Sequence, residues 1–169
     1  MSADWKKAKT KAHAVREQYA ADEPPVNLFE IAAGEGMEIL YFSPDAATND
    51  ISGLLNKEKK QVFLNVQESA ARQNFTLAHE LAHYFLDHKP NEYGVYRRDS
   101  LHDKGKPDKE QEADCFAAEL LMPQELITKV QTKYDLFDDD APALSRLFGV
   151  SSSAMRYRLK GLKNDRVKK

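Results

Sequence analysis

Between Met37 and Leu86 the spacing of apolar residues changes period once, and that change decides the fold class. Met37 to Phe42, Ile51 to Leu55 and Gln61 to Val66 are short apolar runs separated by turn material, including Pro44 to Asp50 and the charged stretch Lys57 to Lys60. Runs of that length, rich in Ile, Leu, Val and aromatics, predict three strands, the last two joined as a hairpin. From Glu68 onward Ala70, Ala71, Phe75, Leu77, Ala78, Leu81, Ala82, Phe85 and Leu86 recur at helical spacing through about Asp87. Helical patterns also precede the strands, from about Ala3 to Ala20 and, capped by Asn27, from Leu28 to Ala33. Lys89 to Pro107 reads as a long loop. Beyond it a helix capped by Asp108 runs to about Met122, Pro123 opens another, and two short helices flank Gly149-Val150-Ser151. Early clustered strands among helices predict an α+β fold, a small three-stranded sheet packed on the helix that begins near Glu68.

With 169 residues, 41% hydrophobic and 31% charged, the chain can bury a core. A formal net charge of -2 gives no bulk attraction to nucleic acid or anionic membrane. The lone Cys115 excludes an intramolecular disulfide and suits a reducing compartment. No apolar run has the length of a signal peptide or membrane span, so the expected location is the cytoplasm, with no membrane partner.

The chemistry concentrates in His79-Glu80-Leu81-Ala82-His83. Residues four apart lie about 40° apart around a helix, so His79 and His83 present their rings on one face, able to grip one metal ion. Glu80 is angled beside the ligand axis, where its carboxylate can take a proton from water. The flanking residues are apolar, so the helix is enclosed, and two histidines and a glutamate there need a partner to offset desolvation. A catalytic zinc takes three protein ligands, and three candidates exist for the third. Glu110 has Asp114 four residues on along the same helix face, a carboxylate placed to accept a proton from a ligand histidine. Glu112 faces the opposite side of that helix. His88 projects about 140° off the ligand face if the helical angle is continued from His83. The order of preference is Glu110, Glu112, His88. Zinc is expected, with manganese or iron as alternatives for the same donors.

Two segments, Phe75 to His83 and Glu110-Gln111-Glu112-Ala113-Asp114-Cys115-Phe116-Ala117-Ala118-Glu119-Leu120-Leu121-Met122-Pro123, resemble the ImmA/IrrE family of metallopeptidases. Ser52-Gly53-Leu54-Leu55 and Val62-Phe63-Leu64-Asn65 resemble the family's strands, and the likeness extends over about Ala32 to Leu162. The resemblance implies a gluzincin-like endopeptidase in which His79, His83 and Glu110 bind metal and Glu80 activates water. It also implies a substrate: a cytoplasmic helix-turn-helix repressor, cut to release stress-response or mobile-element genes. Longer members carry a sensor-like C-terminal domain, which 169 residues would not accommodate. An edge strand among the two directly before the metal helix, Ile51 to Leu55 and Gln61 to Val66, would receive the extended substrate.

Leu144 to Leu162 reads as a helix-turn-helix-like hairpin, with Gly149 in the turn and Ser151 capping the second helix. The expected organisation is a peptidase domain over residues 1–137 and a helical subdomain over residues 138–169 with a basic tail. In a DNA-binding role Arg156 and Arg158 would contact DNA; packing or substrate docking is preferred. Tyr93, Tyr96 and His102, in the long loop, are candidates to stabilise the oxyanion formed when water attacks a peptide carbonyl. Cys115 is expected to pack as an inert side chain. The competing function is a non-catalytic regulator or antitoxin that acts by binding protein or DNA, which would have no need of Glu80.

Overall fold

Several helices begin where a short polar side chain covers an open backbone N–H. Asp4 accepts from the Lys7 amide, Asn27 from Glu30, Ser69 from Arg72 and Ser151 from Ala154. The computed structural model describes residues 2–89, 95–99 and 107–167, excepting the side chains of 95–99 and 165–167. In chain order the elements are α1 (Trp5–Gln18), α2 (Leu28–Gly34), β1 (Glu38–Phe42), β2 (Ile51–Asn56), β3 (Gln61–Asn65), α3 (Ala70–Phe85) and β4 (Val95–Asp99). Then follow α4 (Asp108–Leu121), α5 (Gln124–Tyr134), a 3-10 turn over Asp138–Asp140, α6 (Ala141–Phe148) and α7 (Ser152–Val167). Asp108 is not the cap of α4. Pro107 holds that position without a side-chain bond, and Asp108 and Glu110 instead put negative charge in the first turn, against the helix dipole.

The fold is α+β, as expected, with one strand more than expected. The sheet order is β1-β3-β2-β4, with β1 parallel to β3 and β2 antiparallel to both β3 and β4. The β2–β3 hairpin is present, closed by a turn in which Lys60 takes the left-handed conformation. The expectation of an edge strand at β2 or β3 fails: β4 covers β2, β1 covers β3, and the described edges are β1 and β4. Strand β4 lies inside the segment read as a loop. A five-residue run of Val-Tyr-Arg-Arg-Asp has no apolar alternation to announce it, and only pairing with β2 makes it a strand.

Helix α3 lies between β2 and β3 on one side and α4 on the other. All eight residues from Thr76 to His83 are buried in consequence. One continuous core takes in Leu55, Val62 and Leu64 from the sheet, Leu77, Ala78, Leu81 and Ala82 from α3, and Phe116 and Leu120 from α4. Leu144, Phe148, Met155 and Leu159 of α6 and α7 belong to the same cluster. Among the described residues no helix is long and apolar enough to cross a membrane.

Candidate active site

The close approach of β2 to α3 depends on Gly53. A Cβ there would stand 2.4 Å from Thr76 Cγ2, 3.2 Å from the Phe63 carbonyl oxygen and 3.5 Å from Glu80 Oε1. With hydrogen in its place, the middle of β2 fits against the turn of α3 that carries Glu80. His79, Glu80 and His83 are all at most 1% exposed.

Helix α4 supplies the carboxylates. Glu110 Oε2 lies 3.0 Å from His79 Nε2, and its Oε1 lies 3.3 Å from His83 Nε2. The two Nε2 atoms are 3.1 Å apart. Asp114, one turn along α4, accepts from His79 Nδ1 at 2.8 Å. With the Nδ1 proton given to Asp114, His79 turns its lone pair toward Glu110 and His83. The two imidazole Nε2 atoms and the two oxygens of one carboxylate thus converge, each nitrogen 3.0–3.3 Å from one of the oxygens and 3.1 Å from the other nitrogen. Ligands about 2.0–2.1 Å from one ion in tetrahedral array are about 3.3–3.4 Å apart, so the residues present fit a divalent cation. Of the three candidates for third ligand, Glu110 alone stands in this group with the two histidines.

Protonation suits the same chemistry. Burial pushes the His83 imidazole down to about 4, against the opposing pull of the Glu110 carboxylate. For Glu110, burial disfavours the charge, but hydrogen bonds to His79 and His83 outweigh it and hold the carboxyl well below its usual range. Near neutral pH this leaves a neutral imidazole beside an ionised carboxylate, the states a metal requires. A second cluster, His13, Glu119 and Glu125, has ligand-like spacing but different electrostatics. Arg158 sits 2.6 Å from Glu119 and Arg16 pairs with Glu125, so guanidinium groups already neutralise both carboxylates.

His88 is not where helical projection puts it, whereas Glu112 does face away from Glu110. Helix α3 ends at Phe85, and Asp87, with φ of 56°, turns the chain back. The His88 amide then donates to the His83 carbonyl at 3.1 Å, and the His88 ring returns beneath His83 with Nδ1 to Nδ1 at 2.9 Å. Glu112 accepts from His88 Nε2 at 3.0 Å and from the Asp4 amide at 2.8 Å. Sequence reasoning considered both residues only as metal ligands and missed this role. The available signal was Asp87, a residue type that tolerates the left-handed conformation at a helix end. Tyr93 and His102 lie outside the described residues. Tyr96 stands opposite Leu55 in β4, its side chain likewise outside them. Cys115 is half-buried on α4, and burial pushes its thiol pKa up.

Comparison with known families decides what this site belongs to. Residues 32–160 match the IrrE N-terminal-like domain, a span that contains every strand among the described residues, the paired histidines and α4. The chain belongs to the ImmA/IrrE metallopeptidases. Metallopeptidase ImmA of Bacillus subtilis is 29% identical over 139 residues, covering 79% of this chain and 75% of that protein. The radiation response metalloprotease IrrE of Deinococcus deserti is 27% identical over 157 residues, covering 90% of this chain but 53% of that protein, about half its length. A solved Mycobacterium tuberculosis transcriptional regulator shares the fold, with a TM-score of 0.59 at 14% identity over 89% of this chain and 46% of its own. As a member of this metallopeptidase family the chain is a peptide-bond hydrolase that works with a divalent metal, and among the described residues its His-His-Glu group is the candidate metal-ligand group whose carboxylate is not held by an arginine.

Proposed function

We propose that this metallopeptidase is a zinc endopeptidase of the cytoplasm that cleaves a helix-turn-helix repressor. The convergence of His79, His83 and Glu110 beside the buried Glu80 carries the reading. Imidazole, imidazole and carboxylate is a donor set suited to catalytic zinc, and manganese or iron would accept it too. Bound there, the ion supplies Lewis acidity to the scissile carbonyl and to the attacking water. Glu110 neutralises part of the ion's charge while Asp114 holds the His79 ring and its Nδ1 proton. Glu80 takes the proton of the attacking water and delivers it to the leaving amine. Tyr93, Tyr96 and His102 remain the candidates for the developing oxyanion.

An extended substrate adds to the sheet edge on the side of β2, the strand whose Gly53 lies against Glu80. That edge is β4. Backbone pairing selects sequence weakly, so selectivity comes from the C-terminal subdomain, residues 138–169, where Arg156, Tyr157 and Lys160 of α7 are exposed. Arg158 is not available for DNA. Its Nε donates to the Met122 carbonyl at 2.8 Å and its Nη2 to Glu119, which favours docking of a protein over DNA reading. The name of the Deinococcus relative supports a stress-response setting.

The deciding experiment replaces Glu80 by Gln. Metal content should be retained while cleavage of a partner repressor falls about 100-fold or more, the usual worth of a general base. Undiminished cleavage would remove Glu80 from the mechanism, and a wild-type protein that cleaves no repressor would return the non-catalytic regulator or antitoxin to first place.

A further inference from the structure

The two ligand histidines are oriented by different means. His79 gives its Nδ1 proton directly to a carboxylate, Asp114. His83 faces another imidazole, and an imidazole can present either a proton or a lone pair. We propose that Glu112 and His88 are positioning residues that set the tautomer of His83, so that its Nε2 lone pair faces the metal. This rests on His79, His83 and Glu110 being the ligands.

The direction of every hydrogen bond along the chain follows from its far end. The Asp4 amide is a donor only, and it lies 2.8 Å from Glu112 Oε1. The other carboxylate oxygen, 3.0 Å from His88 Nε2, is an acceptor only, so His88 carries its proton on Nε2. Neutral His88 then has a lone pair on Nδ1. His83 Nδ1, 2.9 Å away, must supply the proton between them. The remaining lone pair of His83 is on Nε2, the atom 3.1 Å from His79 Nε2 and 3.3 Å from Glu110 Oε1. The opposite tautomer of His83 would set two lone pairs against each other at 2.9 Å. His83 is 1% and His88 5% exposed, so water cannot relieve that repulsion. The chain also ties the start of α1 to the metal centre, since Asp4 is both the cap of α1 and the group that orients Glu112.

Glu112→Gln tests the logic without changing shape. The Asp4 amide requires an acceptor, so the introduced amide turns its oxygen to Asp4 and its NH2 to His88. His88 must then bear its proton on Nδ1, and His83 loses its instruction. The measurement is zinc affinity by chelator competition, together with nitrogen–proton correlation spectra of the imidazoles in the metal-free protein. Glu112→Gln should weaken zinc binding by about tenfold to a hundredfold, the usual cost of losing an outer ligand partner. The His83 proton should move from Nδ1 toward Nε2 in the same variant. His88→Asn places an amide oxygen near the former Nδ1, so it should bind zinc almost as wild type and be insensitive to a further Glu112→Gln. Glu112→Gln with unchanged affinity and unchanged His83 tautomer overturns the proposal, as does equal weakening in the His88→Asn background. Wild-type protein that binds no zinc through His79, His83 and Glu110 would sink the ligand reading itself, and this inference with it.

Discussion

His83 is an imidazole that folding keeps neutral, and that has a cost in acid. Its free value near 6.5 is pushed by burial down to about 4. Between these values the unfolded chain binds a proton that the folded chain refuses, so stability is complete above about pH 6.5 and falls as the pH drops toward about 4. Glu110 acts in the same direction further down, because its depressed carboxyl resists protonation in the folded state while the unfolded one accepts it. Urea unfolding of the metal-stripped protein should therefore show lower stability at about pH 5 than at about pH 7.5, with a smaller difference in His83→Leu. A pH-independent stability would mean that His83 titrates normally. Of these residues, His79, Glu80 and His83 were legible from spacing alone, and Glu110 and Asp114 from their shared helix face. His88 was not, because a helical angle cannot be carried past the left-handed turn at Asp87.

At the scale of elements, the contact of β2 with α3 sets where Glu80 sits. Gly53→Ala would drive a Cβ to 2.4 Å from Thr76 Cγ2 with the Phe63 carbonyl behind it at 3.2 Å, so strand and helix must separate. Overpacking of this kind costs about 1–3 kcal/mol. Because Glu80 Oε1 borders the same space while His79 and His83 belong to the α4 side, turnover should fall more than metal affinity. Thermal melts, metal titration and peptide cleavage on one preparation would check this, and full activity with an unchanged melt would refute it. Helix α3 and strands β1 to β3 were readable from their periods. Strand β4 was not, since its pairing partner rather than its own pattern makes it a strand.

The whole molecule joins α6 and α7 to the peptidase through a shared core and through Arg158, so removing residues 138–169 would strip Phe148 and Met155, both 0% exposed, out of that core. The docking proposal is better tested at the surface. Tyr157 is 82% exposed. Tyr157→Ala combined with Arg156→Glu should change stability by about 0.5 kcal/mol or less, as exposed substitutions do. Phe148→Ala should cost about 3–5 kcal/mol. The surface pair should lower kcat/KM for the intact repressor and leave cleavage of a short peptide from its cut site unchanged. Equal loss on both substrates would show that α7 acts on the site rather than on docking.

Helix, strand and the candidate metal-ligand pattern were determined by the sequence because each depends on residues a few positions apart, where backbone geometry alone sets which side chains meet. Phe75 to His83 specified a buried helix with two imidazoles on one face, and Glu110 and Asp114 specified a carboxylate pair one turn apart. Tertiary structure alone decided that Glu110 reaches both imidazoles, that Glu112 meets His88 and the Asp4 amide, that β4 takes the sheet edge, and that Arg158 is spent on Glu119. Each of these joins segments distant in the chain, and their partners are chosen by how the core packs, which no local period encodes.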